Sequence, residues 1–270
     1  MIHYPMKKQM SKYNYLALDF DGVIADSIQE CLVVGCNAFI EYTGKGNKIT
    51  NLSSLDLKDM SEFRRLRYFI RSGEDYVYIQ LALFEGANIQ TQQDFDRFVS
   101  KKAHLKQTFF DLIYQERERL LNQFTDIWIQ LNPLYDGMRE FISQFTHREH
   151  FAIISTKKQI FIHRILEGHG INFPMQRILQ AVENRPKSQI ILDLLKQSGL
   201  EPAHFIFVDD HADTLIKMKH TAVTLCLAGW GYNNDAQKTR VRKACLPVLT
   251  LDQFYQTMKT CSHNEKSNQT

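Results

Sequence analysis

The chain has 270 residues, of which 44% are apolar and 23% are charged, as in an ordinary soluble globular protein. This length fits one large domain, or a core domain that carries a second, smaller one. The 33 basic and 30 acidic residues leave a formal net charge of only +3. This near-equal number of basic and acidic residues argues against a dedicated nucleic-acid-binding surface.

The N-terminal segment and the cysteines indicate a cytoplasmic protein. Residues 1–13 contain three lysines but no apolar run behind them, which excludes a signal peptide and a membrane anchor. The five cysteines are scattered and show no CxxC spacing, so we expect reduced thiols and no zinc site. Residues 261–270 are polar, and we expect them and residues 1–13 to be flexible.

The predicted elements begin with a buried strand at Tyr15–Leu18, which ends abruptly in Asp-Phe-Asp-Gly. Ser27 is expected to cap the helix that follows, and Thr43–Asn47 is expected to stop it. From about residue 53 to residue 131 the pattern is helical and contains no convincing strand. This stretch therefore predicts a helical block.

After Pro133 short apolar strands alternate with helices of 8–12 residues. The predicted strands lie at residues 151–154, 177–181, 204–208 and 222–227. Such alternation indicates a parallel, doubly wound α/β sheet. The helical block is therefore inserted between the first strand and the rest of the sheet.

Polar residues follow four of these predicted strands. They are Asp19 and Asp21 after the first, Ser155 and Thr156 after the second, Lys187 after the third, and Asp209 and Asp210 after the fourth. In open α/β sheets, sites lie beyond the carboxyl ends of the strands. We therefore expect these side chains to face one crevice.

These residue types suit phosphoryl transfer. A carboxylate can attack phosphorus, and a second carboxylate two positions on can protonate the leaving alkoxide and later activate water. Mg²⁺ would reduce the electrostatic repulsion between the phosphate and the carboxylates. Ser155 and Lys187 would hold the remaining phosphoryl oxygens, and Gly22 would let the backbone turn sharply beside the nucleophile.

Each signal alone also has an ordinary structural explanation. Asp19 and Asp21 could belong to a solvated turn, Ser155 to a loop, and Lys187 to an exposed helix start. The pair Asp209-Asp210 could favour the N-terminus of the next helix through its dipole. Their order at successive strand ends favours the functional interpretation.

Several segments between Tyr15 and Tyr232 resemble the motifs of the haloacid dehalogenase superfamily. "LALDFDGVIADS" is similar to its first motif, "AIISTK" to the second, "ENRPKSQIILDLL" to the third, and "FIFVDD" to the double-aspartate form of the fourth. "LAGWGY" resembles the loop after the last core strand in the phosphoglycolate-phosphatase-like branch.

The resemblance implies a Rossmann-like α/β core, residues 14–26 and 133–260, and a helical cap, residues 27–132, that closes over the substrate. It also implies the roles of the motif residues. Asp19 would be the nucleophile and Asp21 the general acid/base, with Ser155 and Lys187 on the phosphate.

The implied metal ligands are Asp19, the Asp21 carbonyl and Asp210, with Asp209 nearby, and the implied cofactor is Mg²⁺. Family members often place another aspartate four or five positions after the metal ligand. Asp213 lies one position short of that, so it is not assigned as a ligand. Asp21 tells against dehalogenation, because true dehalogenases lack this second aspartate.

We expect side chains of the cap to determine which substrate is bound. Arg67 and Arg71 have the i, i+4 spacing of residues on one helix face, in a helix that Gly73 would end. They could bind an anionic substrate or belong to a solvated basic face. Thr156 is a further candidate substrate contact.

The predicted function is hydrolysis of a small phosphomonoester, with a small phosphorylated metabolite as the substrate and no nucleic-acid or membrane partner. One alternative is a phosphomutase, which returns the phosphoryl group to a second hydroxyl. Another is a binding or regulatory protein without turnover. The intact set of catalytic residues argues against the second alternative.

Overall fold

The structure is a computed structural model that describes residues 14–51, 53 and 57–262. Of the predicted flexible segments 1–13 and 261–270, residues 1–13 and 263–270 lie outside the described residues, whereas residues 261–262 are helical. The chain divides into two compact units. Among the described residues, those up to Ala25 and from Leu134 onward form the core unit, and those between Asp26 and Pro133 form the helical unit.

The core unit is built on a parallel sheet with the strand order β3-β2-β1-β4-β5-β6. Its strands are β1 (Tyr15–Leu18), β2 (Phe151–Ser155), β3 (Ile178–Gln180), β4 (Phe205–Asp209), β5 (Thr224–Ala228) and β6 (Val248–Leu249). The order reverses between β1 and β4, which is where ligands bind in doubly wound sheets. The predicted parallel α/β fold is confirmed.

Helices alternate with these strands along the chain. They are α7 (Met138–Ser143), α8 (Gln159–Gly168), α9 (Lys187–Ser198), α10 (Ala212–Lys217), α11 (Asp235–Lys243) and α12 (Leu251–Ser262). Every residue of β1, β2 and β4 is buried, as parallel strands covered on both faces require. The sequence pattern predicts none of β6, α11 and α12, and α12 extends two residues past position 260.

Register brings the carboxyl ends of three strands together. Leu18 of β1 pairs with Ile153 of β2 on one side and with Val208 of β4 on the other. The residues that immediately follow Leu18, Ile153 and Val208 therefore reach the same edge of the sheet. This edge is where the predicted site residues lie.

The helical unit contains no strand among its described residues. Its helices are α1 (Ile28–Thr43), α2 (Leu57–Leu66), α3 (Asp75–Phe84), α4 (Gln92–Lys101), α5 (Lys106–Gln123) and α6 (Thr125–Gln130). Gly44, in the left-handed conformation, ends α1 as predicted. None of the helices that the structure describes is long and apolar enough to cross a bilayer.

Two local predictions in the helical unit are wrong. Ser27 precedes α1, but its side chain makes no capping hydrogen bond. Arg67 and Arg71 do not share a helix face, because α2 ends at Leu66 and the backbone becomes extended at Ile70. The Asp75 carboxylate accepts the backbone N–H of Arg71 at 2.8 Å, which fixes the start of α3 and separates the two arginines.

A buried ion pair joins α1 and α5. Arg117 donates from Nε and Nη2 to the two carboxylate oxygens of Glu30, at 2.8 and 3.2 Å. Both side chains are almost completely buried, and the guanidinium lies over the ring of Tyr76. The charge of Glu30 raises the pKa of Arg117 well above its usual value, although burial opposes this. Removal of either partner would therefore leave the other charge buried without a counter-charge.

We expect Arg117→Met to lower the free energy of unfolding by about 3–5 kcal/mol, because it leaves Glu30 buried without its cationic partner. Urea unfolding followed by circular dichroism measures this. The matched control is Arg164→Met, which removes an exposed pair with Glu167 and should cost no more than about 1 kcal/mol. Equal losses in the two variants would contradict the assignment.

Candidate active site

The ammonium of Lys187 lies between two carboxylates at the edge of the sheet. Its Nζ donates to Asp19 Oδ2 and to Asp209 Oδ2, at 2.7 Å each. All three residues are buried. Lys187 is the first residue of α9, where a positive charge opposes the helix dipole, so its position is explained by the carboxylates and not by the helix.

Burial and the neighbouring opposite charge act in opposite directions on the pKa values of Lys187 and Asp19. Burial lowers the pKa of Lys187, but the charges of Asp19 and Asp209 outweigh it and hold that pKa above its usual value. For Asp19 burial is the largest effect and raises its pKa to about 6, helped by the charge of Asp209. Lys187 and the Ser155 hydroxyl act in the opposite direction. Asp19 is therefore mostly ionised near neutral pH.

The backbone fixes the other oxygens of these carboxylates. The N–H of Phe20 donates to Asp19 Oδ1 at 2.7 Å, and the N–H of His211 donates to Asp209 Oδ1 at 2.8 Å. With Lys187 on their Oδ2 atoms, both carboxylates are held at two points. Such anchoring is what preorganises a reactive group.

Ser155, the last residue of β2, is buried, and its hydroxyl hydrogen-bonds to the Asp19 carboxylate. It also accepts the backbone N–H of Lys157 at 3.4 Å. Thr156, which follows, has an exposed side chain. The structure thus brings Ser155 to the nucleophile candidate and does not bring Thr156 into the buried cluster.

Asp19, Asp209 and Asp210 could hold a metal ion. One carboxylate oxygen from each lies within 4.8 Å of the others, and all three residues are buried. A set of carboxylate oxygens suits hard cations such as Mg²⁺. With Asp21, the four carboxylates exceed the two ammonium groups of Lys157 and Lys187 by two charges when all are ionised, so a divalent cation fits the charge of the site.

Asp213 lies apart from this cluster. It forms an ion pair with Arg240 of α11. It does not belong to the metal-binding group found among the described residues.

The loop after β5 holds Asp210 in place. The N–H of Tyr232 donates to Asp210 Oδ2 at 2.8 Å, and the amide of Asn233 donates to the Asp210 carbonyl at 3.1 Å. A Cβ on Gly22 would lie 2.1 Å from Asp210 Oδ2, and one on Gly231 would lie 2.2 Å from the Gly22 carbonyl oxygen. Gly22 also has φ of +80°, as the predicted sharp turn requires.

Comparison with known proteins agrees with the fold. A profile described as "haloacid dehalogenase-like hydrolase" matches residues 16–227. The chain belongs to the haloacid dehalogenase-like hydrolase family. No curated protein matches the sequence.

Several solved structures share the fold of this haloacid dehalogenase-like hydrolase at low sequence identity. A predicted phosphatase from Clostridium acetobutylicum is 14% identical, with a TM-score of 0.55 over 91% of this chain and 98% of that one. A haloacid dehalogenase-like hydrolase from Streptococcus pneumoniae is 14% identical, with a TM-score of 0.52 over 89% and 95%. A predicted phosphoglycolate phosphatase from Haemophilus somnus is 17% identical, with a TM-score of 0.51 over 83% and 88%.

The sequence analysis missed one basic residue of the site. Lys157 is buried, and its Nζ lies 3.0 Å from Asp21 Oδ1. The available signal was its place two residues after Ser155, at the end of an apolar strand. It also missed the close packing of Gly22 with Gly231, which a sequence pattern does not show.

The cap arginines lie in the helical unit. Arg67 is buried, with its guanidinium over the ring of Tyr76 at 5.4 Å. Arg71 is exposed and forms a two-point ion pair with Asp96. Recognition of an anionic substrate by these residues stays a prediction.

We expect Gly231→Ala to lower the affinity for Mg²⁺ about 10- to 100-fold, the range found when supports of a metal ligand are removed. The added Cβ would lie 2.5 Å from the Cβ of Asp210 and must displace it. Isothermal titration calorimetry measures the affinity. Gly73→Ala, whose Cβ meets no atom closer than 3.4 Å, is the control and should leave it unchanged.

Proposed function

We propose that this hydrolase is a Mg²⁺-dependent phosphatase that cleaves a small phosphomonoester through an aspartyl-phosphate. The observation that carries the proposal is the convergence of Ser155 and Lys187 on the buried carboxylate of Asp19. A second carboxylate, Asp21, follows two residues later. This set supplies a nucleophile, two groups for phosphoryl oxygens and an acid/base.

In the first step an oxygen of Asp19 attacks phosphorus while the bond from phosphorus to the ester oxygen breaks. Protonated Asp21 gives its proton to the departing alkoxide, which leaves as an alcohol. Ser155 and Lys187 donate hydrogen bonds to phosphoryl oxygens as charge is redistributed. The product on the protein is an acyl phosphate of Asp19.

In the second step Asp21, now a carboxylate, accepts a proton from water. The oxygen of that water attacks phosphorus, and the bond from phosphorus to the Asp19 oxygen breaks. Inorganic phosphate leaves, and Asp19 and protonated Asp21 are regenerated. Atoms and charge balance over the cycle without a further co-reactant.

A bound Mg²⁺ would neutralise the excess negative charge and reduce repulsion between the substrate phosphate and the carboxylates. Asp19 and Asp210 are the proposed side-chain ligands, with the Asp21 carbonyl. Asp209, which is engaged by Lys187 and by the N–H of His211, is proposed to lie beside the ion.

We expect Asp19→Asn to lower kcat by more than about a hundredfold, because the amide is nearly isosteric with the carboxylate but is not nucleophilic. Release of phosphate from p-nitrophenyl phosphate measures it, and circular dichroism checks the fold. Asp193→Asn, at an aspartate of α9 that pairs with Arg185, is the control and should keep full activity. Retention of more than about a hundredth of the rate in Asp19→Asn would rule out the covalent mechanism.

Chelation with EDTA should abolish turnover, and added Mg²⁺ should restore it. Asp210→Ala should raise the Mg²⁺ concentration needed for half-maximal rate about tenfold or more, because it removes a proposed ligand. Asp213→Ala is the matched control, since Asp213 pairs with Arg240 outside the cluster. Full turnover in excess EDTA would show that the metal assignment is wrong.

A further inference from the structure

Lys157 occupies a position that the proposed reaction does not yet explain. It lies two residues after Ser155, and its side chain is only 1% exposed. Its Nζ donates to Asp21 Oδ1 at 3.0 Å and lies 5.7 Å from the centre of the Phe20 ring. Burial of an ammonium group is unfavourable unless it is paired, so the contact with Asp21 explains why Lys157 is tolerated there.

The contact joins two neighbouring strand ends. Asp21 follows β1 and Lys157 follows β2, 136 residues apart in the chain. Because β1 and β2 are paired in register, their ends are fixed relative to each other. An ammonium group fixed in this way selects one of the side-chain rotamers that an aspartate can adopt.

The two lysines of the site hold different carboxylates. Lys187 contacts Asp19 and Asp209, the nucleophile and its neighbour. Lys157 contacts Asp21, the proposed general acid/base.

We propose that Lys157 is a positioning residue that orients the Asp21 carboxyl toward the leaving-group oxygen. The inference rests on the proposed phosphatase function, because it assigns Lys157 a role in the step in which Asp21 protonates the departing alkoxide. Misplacement of a reacting group by about 1 Å can cost on the order of a hundredfold in rate.

Two aryl phosphates of similar shape test the proposal. p-Nitrophenyl phosphate releases a phenolate that needs little protonation, whereas phenyl phosphate releases a more basic phenolate that needs an acid. Lys157→Met should lower kcat/KM on phenyl phosphate about 10- to 100-fold and on p-nitrophenyl phosphate less than about threefold, because kcat/KM covers the steps up to departure of the alcohol and excludes the second step, which Asp21 also serves. Asp21→Asn should show the same substrate dependence.

The double variant Asp21→Asn with Lys157→Met separates positioning from a general structural role. If Lys157 acts through Asp21, its removal costs nothing further on phenyl phosphate once the acid is gone. The matched control is Lys158→Met, at the next residue, which should leave both substrates unaffected. If Lys157→Met does not fold, Lys157→Arg, which keeps the cation but moves its donors, takes its place in the same comparison.

Equal losses of kcat/KM on the two substrates, or additive effects in the double variant, would overturn the proposal. Those results would make Lys157 a structural or phosphate-binding residue. Failure of the phosphatase function itself is recognised separately. In that case the wild-type protein shows no Mg²⁺-dependent turnover of either compound, or Asp19→Asn keeps its activity.

Discussion

The contact of one ammonium with two buried carboxylates is the interaction on which the site depends. Without Lys187, Asp19 and Asp209 would be like charges in a buried place, and protonation of one of them would be favoured. The ammonium opposes protonation of Asp19, although burial still raises the pKa of Asp19 to about 6. A carboxylate that is buried and still charged is a better nucleophile than one that is fully hydrated.

The positions of these groups follow from the parallel sheet. Three fully buried apolar strands end at the same edge, and each is followed at once by a polar residue. That pattern can be recognised in the sequence. Asp19, Ser155 and Asp210 could therefore be predicted as candidate site residues before the structure. Lys187 could be predicted as well, because it begins the helix after the third strand.

Other features depend on contacts between distant segments, which no local pattern encodes. A single lysine after a strand is usually solvated, so the pairing of Lys157 with Asp21 across 136 residues was not predicted. β6 has two residues, too few for a periodic signal. The apolar spacing around α2 continues past Leu66, so the sequence does not show that the helix stops before Arg71, whose N–H donates to the Asp75 carboxylate.

Under the proposed function, the core unit acts on the phosphoryl group and on the ester oxygen alone. Asp19, Ser155 and Lys187 engage the phosphoryl group, while Asp21 serves the leaving oxygen. None of them contacts the remainder of a phosphomonoester in this scheme, so the cluster itself gives little discrimination between substrates. Discrimination requires interactions made with the rest of the substrate in the transition state. The choice of substrate therefore depends on side chains outside the cluster, whereas the chemistry depends on the carboxylates that Lys187 and Lys157 hold.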